Sequence, residues 1–184
     1  MRQLKYHEQK LLKKTNFYDW KDDKQTIREG AIIRKYQVED RDDYAKYNKL
    51  IGMITRLTAQ LRKLPADDAD RIRMTELLLE KLFAMGVTNS RQSLELTEKI
   101  AVSNFCRRRL PVVMTSMKMA EYVSKATEFI QHGHVRVGPD LCTNTALHVT
   151  RDMEDHITWA EGSKIKRHVA AFRGEEDDYD LMRN

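Results

Sequence analysis

Two cysteines, three prolines and seven glycines in 184 residues exclude several common designs at once. Cys106 and Cys142 are too few for a disulfide framework, and without a Cys-x-x-Cys spacing they do not suggest a structural zinc site. They predict reduced thiols inside the cell. No stretch approaches the roughly 20 apolar residues that span a bilayer. The basic start MRQLKYHEQKLLKK lacks the apolar segment of a secretory signal, so no membrane partner is expected. Also missing are a glycine-rich phosphate loop, a Gly-x-Ser-x-Gly elbow and a His-Glu-x-x-His helix. The acid pairs Asp22–Asp23, Asp42–Asp43 and Asp67–Asp68 lie in charged stretches that read as solvated, and nominate no acid–base dyad. Cys106 sits beside three arginines, a setting that lowers a thiol pKa, yet no base accompanies it. The expectation is a protein that is not an enzyme and has no cofactor. Aromatics are sparse at 8%, whereas a third of the chain is charged, the profile of a helical protein with a modest core.

The charge is unevenly placed. The last eleven residues, GEEDDYDLMRN, hold five acids against one arginine, a net of −4, which leaves +9 on residues 1–173 of the overall +5. A basic body of this kind suits a polyanionic partner. The acidic tail, 174–184, is expected to be disordered.

Along the chain, residues 1–14 read as a short basic helix or arm, and NFYDW, Asn16 to Trp20, as an aromatic anchor. From Asp43 to Leu64, Tyr44, Tyr47, Ile51, Ile54, Leu57, Leu61 and Leu64 recur in steps of three and four, a helix that Pro65 stops. Asp67 or Asp70 is a candidate cap for a second helix ending at Gly86. A third, weaker helix is expected over 88–106. Pro111 suits the first turn of the next helix, and Ser124 the cap of the one after, which ends before Gly133. The period then changes to two in His134-Val135-Arg136-Val137, Gly-Pro-Asp turns the chain, and ALHVT and HITWA are strand candidates. SKIKRHVAAFR reads as a basic helix capped by Ser163. The fold class is α+β: an N-terminal arm and helical region over 1–106, then two helices on a small antiparallel sheet with a basic C-terminal helix over 107–173.

His132 and His134 flank Gly133, but a zinc site needs further ligands and none stands at a recognised spacing. A polyanion site fits better. Arg107, Arg108 and Arg109 precede Pro111 at a helix start, where free N–H groups and the helix dipole favour phosphate. Lys118 and Lys125 follow, His134 and Arg136 share one strand face, and Lys164, Lys166 and Arg167 add another basic edge. Such a set suits the shape of RNA more than a base code in a DNA groove.

RRRLPVV, SKATEFIQHGHVRVG and LHVT resemble the RNA-binding domain of small-subunit ribosomal protein four, the alphaL motif. LKYHEQKLLKK, FCRRRLPVVM, GHVRVGPD and RDMEDHITWAEGSKIKRHV, in this order, extend the likeness along the whole chain to its relative in the U3 small nucleolar ribonucleoprotein. The resemblance implies a nucleolar, non-catalytic RNA chaperone of the small-subunit processome. Such a protein pairs U3 RNA with pre-ribosomal RNA during 18S maturation and associates with an M-phase phosphoprotein scaffold. By correspondence, Arg107–Arg109, Lys118, Lys125, His134 and Arg136 would touch RNA. The ribosomal pattern has one arginine where this chain has three, which leaves open which of them makes the contact. The rival reading is a structural adaptor, in which the helices of residues 43–86 dock the scaffold and RNA contacts are incidental.

Overall fold

The computed structural model describes residues 2–14 and 23–175. The aromatic cluster at 16–20 and the acidic tail from 176 onward lie outside the described residues.

The N-terminal region is helical. α1 (Tyr6–Lys14) and α2 (Asp23–Lys35) lead into the long α3 (Arg41–Lys63) and α4 (Ala69–Ala84). Leu64 ends α3 in extended backbone just before Pro65, and the Asp68 carboxylate caps α4 by accepting from the Asp70 N–H at 3.1 Å. The cap thus falls on the acid between the two candidates. Arg41 fastens α2 to α3 through two bonds to the Glu29 carboxylate, at 2.6 and 2.7 Å.

Residues 88–106 do not form one helix. They give α5 (Glu95–Glu98) and α6 (Val102–Cys106), each about one turn long. The reason is local: Ser90 and Ser93 hydroxyls accept from backbone N–H groups two residues on, which competes with helical bonding. Leu82, Val87, Ile100 and Phe105 then close a core against α3, and Tyr36, Val38, Val102 and Cys106 close a second beside it.

α7 (Leu110–Ser116), with Pro111 in its first turn, packs on α8 (Val123–Gln131). Ser124 lies inside α8, whose cap position is Tyr122 in extended backbone. Gly133 takes φ +72 at the corner, as its place between helix and strand requires. β1 (Val135–Val137) is the centre of a three-stranded antiparallel sheet, flanked by β2 (Asp140–Leu141) and, after α9 (Arg151–Glu154), by β3 (Ile157–Trp159). Arg136 stands opposite Leu141 on one side and Thr158 on the other. Leu110, Val113, Met114, Ala126, Ile130, Val135, Val149 and Ile157 make the main core. ALHVT is not a strand; it contributes one bridge, His148 opposite Arg109. α10 (Lys164–Arg173) closes the described chain, its Ser163 hydroxyl accepting from Ile165 N–H. The fold is therefore α+β, helices with a small antiparallel sheet. No helix among the described residues is long and apolar enough to cross a membrane.

Candidate nucleic-acid interface

Three consecutive arginines meet three different fates. Arg109 is 1% exposed. Its Nη1 donates to Asp43 Oδ2 at 3.0 Å and to Tyr47 Oη at 3.3 Å, both on α3. Burial works against its charge, and Tyr47 and Asp43 more than offset that. Asp43, expected to be solvated, is instead the counter-ion of a buried cation. Arg108 is also committed: Nε donates to the Val149 carbonyl at 2.9 Å, Nη2 to that of Thr150 at 3.0 Å, and Nη1 to Glu154 Oε2 at 2.9 Å. As folded, Arg109 is shut off from phosphate, and each of the three guanidinium nitrogens of Arg108 already donates within the protein. Of the three, only Arg107 is exposed.

The expected anion site at the start of α7 is likewise closed. Leu110 N–H donates to Leu147 O at 3.0 Å, Pro111 has no N–H, and Val112 and Val113 N–H groups both donate to Arg109 O at 3.0 Å. Nor is Cys106 activated. It is fully buried, and burial pushes its thiol up to about 11 against the opposing charge of Arg109.

These side chains join the helical half to the module that follows. Arg151 belongs with them: it donates to Phe83 O and Thr88 O at 2.9 and 3.0 Å and lies 4.2 Å over the Phe83 ring. Glu39 adds a tie, accepting from Gln131 Nε2 at 2.6 Å and Thr145 Oγ1 at 3.2 Å. His148 Nε2 lies 2.9 Å from Met85 O. Burial lowers the His148 pKa; the bond to Met85 opposes this, and Arg108 reinforces it. The folded state thus disfavours the imidazolium, and His148 contributes its full stability above its ordinary value of 6.5. That contribution should be lost as pH falls through the lowered value. Urea midpoints at pH 7.5 and 5.5 are expected to drop on acidification, with a shallower drop for His148→Gln; equal drops would exclude this role.

The remaining expected residues are accessible to differing degrees. Lys118 is exposed at the end of α7, at φ +61. Lys125 is exposed on α8 and pairs with Glu128 at 2.8 Å, a surface pair that costs little to break. His134, Arg136 and the start of α10 meet at one corner. His134 Nδ1 lies 3.0 Å from Ser163 Oγ, and Arg136 reaches Thr158 Oγ1 at 3.0 Å and Glu161 Oε1 at 2.8 Å. Lys164, Lys166 and Arg167 are exposed just beyond Ser163. The rings of His132 and His134 stand 6.2 Å apart, edge to face. Among the described residues no group of three or more His, Cys, Asp or Glu side chains is placed to hold a metal.

Comparison with known proteins gives this corner a context. Residues 3–107 match the ribosomal protein S4/S9 N-terminal domain, and residues 108–155 the S4 domain. The chain is 48% identical over 182 residues to the U3 small nucleolar ribonucleoprotein protein IMP3 of Saccharomyces cerevisiae, covering 98% of this chain and 99% of the yeast protein. The human and mouse proteins of that name are 46% and 45% identical over 181 residues, 98% of each chain. The chain belongs to the IMP3 family of U3 small nucleolar ribonucleoprotein proteins, built on the two domains of ribosomal protein S4.

Proposed function

We propose that this protein is a non-catalytic, RNA-binding component of the U3 small nucleolar ribonucleoprotein, acting in the nucleolus in ribosome biogenesis. In this reading it promotes the pairing of U3 RNA with pre-ribosomal RNA in 18S maturation. The observation that carries it is the S4 domain at 108–155, with exposed cations gathered where its strand corner meets α10. Two short complementary RNAs repel each other along their backbones. Cations held by a rigid corner lower that repulsion and leave base pairing to choose the partner. Arg107, Lys118, Lys125, Arg136, Lys164, Lys166 and Arg167 are the proposed phosphate contacts, with His134 beside them. The buried Arg109 and the half-buried Arg108 shape the module.

The test is binding of the full chain to a short U3–pre-ribosomal RNA duplex across a salt series, with and without EDTA. Affinity should fall steeply with salt and ignore EDTA. Each phosphate contact removed, as in Lys164→Gln with Lys166→Gln, should shallow the log–log slope by about 0.9. A flat salt response would overturn the reading.

The adaptor reading rests on a different surface. Leu50, Met53 and Leu57 recur at helical spacing on α3 and are 40–48% exposed; Met74 and Leu77 on α4 are 54% and 53% exposed. Apolar residues left in water at this spacing suit a partner helix. The M-phase phosphoprotein scaffold is the partner we assign to them, a role compatible with RNA binding at the opposite half.

A further inference from the structure

A cleft behind the arginine cluster has a chemistry of its own. It lies where α4 ends and α6 meets the S4 domain, has a volume of about 210 Å³ open to solvent on one side, and its lining includes Val87, Thr88, Asn89, Leu96, Lys99, Asn104 and Arg107. Three features narrow what it can hold. It has two cations at exposed positions, Lys99 and Arg107, and no acid, so it suits an anionic ligand and not a metal ion. It presents two side-chain amides: Asn89 is exposed, and Asn104 is fixed by donating Nδ2 to Val87 O at 3.2 Å. Thr88 is 5% exposed, and its hydroxyl is buried without a hydrogen-bond partner. An orphaned buried hydroxyl costs stability, and a ligand able to bond it would recover that cost.

Size completes the picture. The volume is several times the roughly 30 Å³ that a water molecule occupies, more than a bare phosphate needs. Amides and hydroxyls read base edges, aliphatic walls such as Val87 and Leu96 pack on base faces, and cations take the phosphate. We propose that this cleft receives one unstacked nucleotide of a bound RNA, its base between Val87 and Leu96 against Thr88, Asn89 and Asn104, and its phosphate on Lys99 and Arg107. Single-stranded bulges and junctions, whose bases are free to turn outward, are the RNA elements that supply such a nucleotide. Arg107 belongs both to the cleft and to the proposed phosphate-binding set, so a backbone crossing it is already positioned to deliver the base. This rests on the RNA-binding reading above, and gives the protein a preference for pairings that leave one nucleotide unpaired.

The experiment compares two RNAs with the full chain: a duplex carrying a one-nucleotide bulge, and the same duplex with an abasic residue at the bulge. The base-containing bulge should bind about ten-fold tighter. Thr88→Val keeps the shape and removes a hydroxyl with no protein partner, so its melting temperature should stay level or rise while the bulge preference falls toward one. Asn89→Ala should also lose the preference. Equal binding of both RNAs with a steep salt dependence would sink the nucleotide cleft and leave the phosphate-binding reading standing; no binding to either would bring down both. Competition at micromolar concentration by adenosine or uridine monophosphate would mark a free-nucleotide site and overturn the assignment to RNA.

Discussion

Arg109→Ala is expected to destabilise the protein by about 3–5 kcal/mol, the range for removing one partner of a buried ion pair. The size follows from what would be left behind. Arg109 is 1% exposed, and Asp43, on the other side of the junction, would keep its charge with its main partner gone. The pair also crosses 66 residues of sequence, so it holds α3 against the start of α7 and is not a local ornament. Asp43→Ala should cost a comparable amount, and the double variant clearly less than the two together, because the second removal leaves no orphaned charge. Arg107→Ala, by contrast, alters an exposed side chain and should stay within about 0.5 kcal/mol of wild type. Urea denaturation of the three single variants and the double decides the matter. A wild-type midpoint for Arg109→Ala would remove the pair from the account of the fold. The practical consequence concerns the proposed phosphate contacts: neutralising all three arginines together would loosen the domain junction, so a loss of RNA affinity would not report on the contact proposed for Arg107. Arg107 must be changed alone.

That partition was invisible along the chain, for a physical reason. The long helices were legible because their cores are periodic: Tyr47, Ile51 and Ile54 all pack inward from α3, and Pro65 marks the break before α4, although the cap falls on Asp68 and not on Asp67 or Asp70. The glycine corner was legible because Gly133 needs positive φ and the period changes beyond it. What failed were features settled by distant partners. The pair Asp42–Asp43 looks like any solvated acidic start of a helix until Arg109 is brought to it. α2 carries no clean apolar period and was not foreseen, and neither was the one-turn α9, although Thr150 caps it by accepting from Met153 N–H. One local signal was available. Arg109 sits between Cys106 and Leu110, both at 0% exposure, and a cation embedded among core residues requires a buried counter-charge. The cleft at Thr88 had no comparable signal, since its lining comes from three separate stretches between Gly86 and Arg107.

Gly86→Ala should be nearly as costly, at about 3 kcal/mol, although it adds a single methyl group. Gly86 has φ +70 at the end of α4, where an L side chain pays roughly 1–2 kcal/mol for the left-handed backbone. The added carbon would also stand 2.6 Å from Arg108 Nε, 2.8 Å from Cζ and 2.9 Å from Cδ. A free arginine would swing aside at little expense. This one is held by the Val149 and Thr150 carbonyls and by Glu154, so moving it breaks charge-assisted bonds worth about 1.5–3 kcal/mol each before relaxation. Gly138 supplies the control: its φ is +60, but a methyl there meets nothing within 4 Å. Gly138→Ala should therefore show the backbone cost alone, and the difference between the two variants isolates the contact with Arg108. If the two lose the same stability, Arg108 is mobile enough to yield, and the junction depends on Arg109 and Arg151 instead. If Gly86→Ala loses more, as the packing requires, the end of α4 and the arginine that opens the S4 domain are a single fitted unit, which explains why glycine stands at that position.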